Sequence, residues 1–194
     1  METTLRYSAH AKRLHWLMAA VISITWFVGI YSAHFRSDAT HVAAIYVHKS
    51  IATTVLFLFV VRLVYRLTHR YPPLPDSVDG VSALLAKGVH VLLYVLAMCA
   101  LPLSGWYWSS VAGRPAPVLG LFNLPALSPK NPGMSDTGMW THRILAWTVG
   151  ALIFAHALAA LKHHFVDRDD ILIRMLPGKQ HWLPRWTSRT HTRD

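Results

Sequence analysis

The amino-acid sequence predicts an all-α integral membrane protein, a four-helix bundle with both termini cytoplasmic. Three observations carry that prediction. Of 194 residues, 53% are hydrophobic and only 14% are charged, against about a quarter charged in a soluble globular domain. The apolar residues gather into four runs, each close to the roughly 20 residues that cross a hydrocarbon core at about 1.5 Å of helical rise per residue. Fourteen of the 19 Lys and Arg residues fall on one side of these runs and five on the other. The formal charge of +10 therefore reports topology and not nucleic-acid binding, because the basic residues lie between apolar runs.

The first span is placed at about residues 13–34. Its apolar stretch, Leu14 to Ala33, is too long for a signal-peptide core and no small-residue cleavage motif closes it, so it is expected to be a retained helix. The second span covers about 43–66. It is followed by Arg70-Tyr-Pro-Pro-Leu-Pro-Asp76, where proline removes amide donors and restricts the preceding residue, forbidding a continuous helix. The third span, about 82–109, contains Pro102, which should kink it, and Gly105, which leaves room beside the kink. Trp106, Tyr107 and Trp108 end this span where an interfacial aromatic belt is expected. Residues 111–136 form the longest loop, rich in Gly and Pro and expected to fold over the membrane surface. The fourth span covers about 139–164, and a short interfacial helix is expected beyond Asp167. The chain thus divides into a transmembrane domain at 1–178 and a basic cytoplasmic tail at 179–194.

Orientation follows from the charges. Arg6, Lys12 and Arg13 precede span one, and Arg62, Arg66, Arg70 and Lys87 flank the second loop. Lys162, Arg168, Arg174, Lys179, Arg185, Arg189 and Arg193 follow span four. Opposite them stand Arg36, Lys49, Arg114, Lys130 and Arg143. The positive-inside rule puts the richer side, with both termini, in the cytoplasm.

A single cysteine, Cys99, rules out a disulfide framework or a cysteine-ligated cluster, so a tightly held metal must use other ligands. The sequence supplies 13 histidines. Ionisable residues inside spans are costly and mark functional sites by default. Five qualify: His15 at the inner end of span one, His48 at the outer end of span two, His90 early in span three, and His142 and His156 in span four. The last two are 14 residues apart, which leaves them about 40° apart in angle and about 21 Å apart along the axis. Because successive spans reverse direction, His48 reaches the depth of His142 and His15 that of His156. Each pair suits bis-histidine coordination of one haem iron between facing helices. Ala146, Val149 and Ile153 share the intervening face and would form an apolar wall, as ordinary core residues also would.

His90 is read as a neighbour of the inner site or a quinone contact, and His163 as an interfacial or propionate-contacting residue. His10, His34, His41, His69, His164, His181 and His191 are read as solvated or interfacial. Arg62 and Arg66 lie 14 and 18 residues beyond His48, about 21 and 27 Å deeper on nearly its face. They reach the inner level, where a guanidinium matches a haem propionate, although snorkelling to the headgroups would also use them. No P-loop, dinucleotide fingerprint, Ser-His-Asp arrangement or HExxH motif is present, so hydrolysis and nucleotide chemistry have no support.

These residues resemble the bacterial cytochrome b561 family, related to the membrane cytochrome b subunits of nickel-iron hydrogenases and formate dehydrogenases. The resemblance runs to about Gly178. It rests on His15-Trp16, on His48 with Val60-Val-Arg-Leu-Val-Tyr-Arg66, on Gly88-Val-His-Val-Leu-Leu-Tyr94, and most specifically on Ala155-His-Ala-Leu-Ala-Ala-Leu-Lys-His-His-Phe165 followed by Arg174-Met-Leu-Pro-Gly178. It implies a quinone-linked cytochrome with two haem b groups, in which His15, His48, His142 and His156 match the family's axial positions. Family members of this form include superoxide oxidases, so the resemblance implies superoxide as a donor and ubiquinone as the acceptor, in a bacterial inner membrane. A noncatalytic membrane subunit of a larger dehydrogenase or hydrogenase is the alternative. A histidine-based metal-ion transporter is the alternative of another class, disfavoured by the scarcity of carboxylates in the spans.

Overall fold

The computed structural model describes residues 7–34, 39–70, 72–73 and 80–178. The basic tail at 179–194 lies outside them. Four helices are long and apolar enough to cross a membrane, at Ala9–His34, Ala39–Thr68, Gly80–Val111 and Pro132–Asp167. Each contains the expected apolar run and continues past it by a few residues, since backbone hydrogen bonding does not stop where hydropathy does.

Helix α1 (Ala9–His34) packs along α2 (Ala39–Thr68). Ser8 caps α1, accepting a hydrogen bond from the Ala11 amide at 3.1 Å, and its hydroxyl meets the Tyr65 hydroxyl at 2.6 Å, tying the start of α1 to the end of α2. The third span is composite. Helix α3 (Gly80–Leu92) passes through a π-helical segment, Leu93–Ala100, into α4 (Leu101–Val111). Pro102, where a kink is expected, follows directly on these wider turns, which accommodate the proline ring and its missing amide.

The long loop contains an antiparallel hairpin, β1 (Ala116–Val118) with β2 (Phe122–Leu124), pairing Pro117 with Asn123. It is pinned to α2: Thr53 Oγ1 donates to the Pro117 carbonyl at 2.7 Å, the Leu119 amide to Ser50 at 3.0 Å, and Lys49 Nζ to Pro115 at 3.2 Å. The hairpin turn puts Leu119 and Gly120 at φ of 49° and 73°, the left-handed pair that matches the twist of a hairpin.

Helix α5 (Ser135–Lys162) packs on α4 and ends in a π turn, His163–Asp167. A left-handed Arg168, φ 55°, then turns the chain into the short α6 (Ile171–Met175), where the short helix beyond Asp167 was expected. Trp16 Nε1 donates to the Met175 carbonyl at 2.9 Å, fastening α6 to α1. Trp26 bridges α1 to α5, its Nε1 donating to the Ala146 carbonyl at 2.8 Å.

At mid-depth Met18, Ala97, Met98 and Val149 are buried against Ile22, Leu58, Phe59, Leu93, Leu96 and Ile153. Large apolar side chains on the outer faces, such as Phe27, Val60, Leu84, Ile144 and Phe154, are exposed. That inversion suits a surface wetted by lipid.

One reading of a single residue is corrected. His164, expected to be solvated or interfacial, is 1% exposed and among the most completely buried side chains described; it lies in the π turn that packs against α6. The aromatic run that ends the third span is half-buried. Trp106 Nε1 donates to Pro125 at 2.8 Å, and the Trp108 ring lies 6.0 Å from that of His142.

Candidate functional site

Near the outer end, α2 presents His48 and α5 presents His142, with ring centroids 6.2 Å apart and planes at 80°. Both rings are seated by glycines. A Cβ on Gly29 would stand 2.8 Å from His48 Cε1, and one on Gly105 would stand 3.0 Å from His142 Cε1. Gly29 is one helical turn beyond Thr25, so its bare Cα opens the groove through which His48 Nδ1 donates to the Thr25 carbonyl at 2.8 Å. On the other side His142 Nδ1 is 2.9 Å from Ser104 Oγ, whose hydroxyl donates to Leu101 at 2.7 Å. That hydroxyl proton is committed, so His142 Nδ1 donates to the oxygen. Each ring therefore keeps Nε2 as a lone pair, the tautomer of a metal ligand oriented by its outer nitrogen.

At the inner end, His15 on α1 and His156 on α5 are also 6.2 Å apart, with planes at 66°. His90 on α3 joins them, 5.3 Å from His156, and its Nδ1 donates to the Ala86 carbonyl at 2.6 Å. Arg62 lies among these groups: its Nε donates to the Tyr94 hydroxyl at 3.0 Å and its Nη2 to His15 Nδ1 at 3.4 Å. The Arg66 guanidinium lies 5.8 Å from the Tyr94 ring centroid. His163 is held apart on carboxylates, with Nδ1 2.7 Å from Asp169 and 3.2 Å from Asp167.

The two pairs are separated by the buried core around Val149. Two imidazoles facing each other across one ion, with metal–nitrogen bonds of about 2.0 Å, place their ring centroids roughly 6 Å apart. Both observed pairs have that separation, so the residues fit a flat metal cofactor clamped between helices. Outside the outer pair, Arg114 and Lys130 line a cavity of about 340 Å³ with Trp106 and Ser110.

The structure thus brings together His48 with His142, and His15 with His156, His90, Arg62 and Arg66. Sequence reading missed Thr25, Gly29, Ser104 and the part played by Tyr94; Gly105, read as room beside the kink at Pro102, gives its room to His142. A glycine one turn beyond Thr25, and another next to Ser104, each opposite a histidine at equal depth, were the available signal.

Four membrane-length helices presenting imidazole pairs at two depths have the architecture of membrane b-type cytochromes. Residues 6–178 match the prokaryotic cytochrome b561 family, and the chain belongs to that family. It is a bacterial membrane protein of haem b electron transfer. It is 34% identical over 176 residues to cytochrome b561 homolog 2 of Escherichia coli (strain K12), covering 90% of this chain and 93% of the relative. It is 30% identical over 175 residues to probable superoxide oxidase CybB of Yersinia pestis, covering 90% and 98%. Cytochrome b561 homolog 1 of the same E. coli strain is 29% identical over 178 residues, with 90% and 99% covered.

Proposed function

We propose that this chain binds two haem b groups and passes electrons from an outer one-electron donor, superoxide among them, to ubiquinone. Both termini are then cytoplasmic. The equal 6.2 Å separation of the two facing imidazole pairs is the observation that carries the reading. When bound, haem b supplies reversible one-electron chemistry, and the protein's part is ligation, orientation and electrostatics.

His48 and His142 would hold the outer group, oriented through Thr25 and Ser104. His15 and His156 would hold the inner group. Arg62 and Arg66 place positive charge at that inner level and favour a more negative reduced site. His90, exposed beside His156, is positioned to contact a quinone arriving from the bilayer. Lys49, Arg114, Lys130 and Arg143 give the outer face a positive field that attracts a small anion. The likeness to a probable superoxide oxidase supports superoxide as that anion. Two superoxide anions give two electrons, and ubiquinone takes them up with two protons.

The test is the purified full chain in detergent, with haem quantified and ubiquinone reduction followed under a superoxide source. Two haems per chain and reduction by the chain alone are expected. One haem per chain would remove the paired-site reading. Reduction only with a copurifying dehydrogenase would make the chain a subunit of a larger complex.

A further inference from the structure

Apart from the two imidazole pairs, a groove of about 320 Å³ lies between α2 and the third span. Phe59 and Leu63 form one wall, and Val91, Val95 and Cys99 the other. Val91 and Val95 are exposed, so the mouth of the groove opens on the surface wetted by lipid. Charge stands at its inner end. Arg66 completes the lining there, two helical turns and about 10 Å beyond Phe59, and only two residues before α2 ends.

That end is strongly cationic. Burial pushes the hydroxyl of Tyr7, just ahead of α1, above its usual range, and Arg66, Arg174 and Arg62 all lie close enough to offset part of the rise. Arg62 is turned inward onto the Tyr94 hydroxyl, whereas Arg66 is exposed with its guanidinium 5.8 Å from the Tyr94 ring centroid. Arg174 commits one of its five donors to the Pro73 carbonyl at 3.0 Å. An apolar channel facing hydrocarbon is thus headed by two cations at the level where the helix leaves the membrane.

We propose that this groove seats one anionic phospholipid from the leaflet on the Arg66 side, its phosphodiester on Arg66 and Arg174 and one acyl chain along Phe59, Leu63 and Val95. A guanidinium edge matches phosphate oxygens, and basic pockets between membrane helices take anionic head groups. A zwitterionic lipid has the same chains but an ammonium group that the cationic end repels. A quinone carries no charge to match that end. The proposal is independent of the haem reading, since none of these residues is an assigned axial ligand.

The test is native mass spectrometry of the full chain, purified in detergent, delipidated and titrated with phosphatidylglycerol or with phosphatidylcholine of the same acyl chains. One phosphatidylglycerol per chain is expected, bound about 25-fold more tightly than phosphatidylcholine, at about fivefold for each arginine. Arg66→Gln should lower that preference about fivefold, and Arg66→Gln combined with Arg174→Gln should abolish it. Val95→Trp fills the groove without touching the charges and should weaken phosphatidylglycerol binding. Val91→Trp is a second variant of this kind; both positions are exposed, and helix content is checked by circular dichroism. Equal binding of the two lipids, a preference that survives the double arginine substitution, or unchanged binding in both tryptophan variants overturns the proposal. Displacement of the bound lipid by ubiquinone would assign the groove to quinone, and displacement by inorganic phosphate would leave an anion patch with no seat for a chain; either result overturns it as well.

Discussion

At the outer end of this bundle a side chain's usefulness depends on what its neighbour lacks. Gly29 and Gly105 have no Cβ, and that lets His48 and His142 lie against the opposing helices. Gly29→Ala would bring a carbon within 2.8 Å of the His48 ring, closer than real contacts allow, and would push the ring off the Thr25 carbonyl. The expected result is loss of the outer haem with the inner haem retained, read from haem content and the low-spin electron paramagnetic resonance signals. Gly88→Ala is the matched control. Nothing lies within 4 Å of its Cβ, so it should leave both haems and raise helix stability by about 0.5–1 kcal/mol in thermal unfolding. At the same scale, His142→Ala should remove the outer haem and His156→Ala the inner one; two low-spin haems surviving in either variant would refute the pairing. The histidines were legible in the sequence because helical geometry fixes depth and face from spacing alone. Thr25 and Ser104 were not: Thr25 acts through its backbone carbonyl, a group every residue carries, and Ser104 through a hydroxyl that in an apolar helix ordinarily bonds to its own backbone, so only the partner helix shows which one faces a ring.

Among the elements, the four spans were legible from hydropathy, and the places where they depart from regular helix were not. Nothing in the composition of Leu93–Ala100 or His163–Asp167 marks a π turn. One extra residue in a turn rotates everything after it, which is why a solvated His164 was a reasonable expectation and a buried one is found. The hairpin was hidden for a different reason: its strands are three residues each, too short for an alternating pattern to register. Its attachment to α2 can be tested. Thr53→Val keeps the shape but deletes the bond to Pro117 and leaves a buried carbonyl unpaired, a cost of about 1–3 kcal/mol. Faster amide exchange confined to residues 116–124 should report it. Gly150→Ala tests the α1–α5 crossing, where a Cβ would sit 2.6 Å from Trp26. Overpacking of this kind costs about 1–3 kcal/mol and should lower the melting temperature while sparing the hairpin.

For the whole molecule, the charge asymmetry makes the topology testable. A reporter fused after Asp194 should behave as cytoplasmic and one inserted near Pro129 as periplasmic; the opposite result at both sites would reverse the proposed donor side as well as the orientation. Orientation gives the buried wall of Met18, Ala97, Met98 and Val149 a further meaning. On the proposed reading it would be an insulating layer across which charge moves without a compensating ion, so an electron driven inward through it would work against a voltage that is negative inside. A full crossing costs about 2.3 kcal/mol for each 100 mV, and the wall covers a fraction of that drop. The protein would then be slowed by an energised membrane, and turnover in sealed vesicles should quicken when an ionophore collapses the voltage.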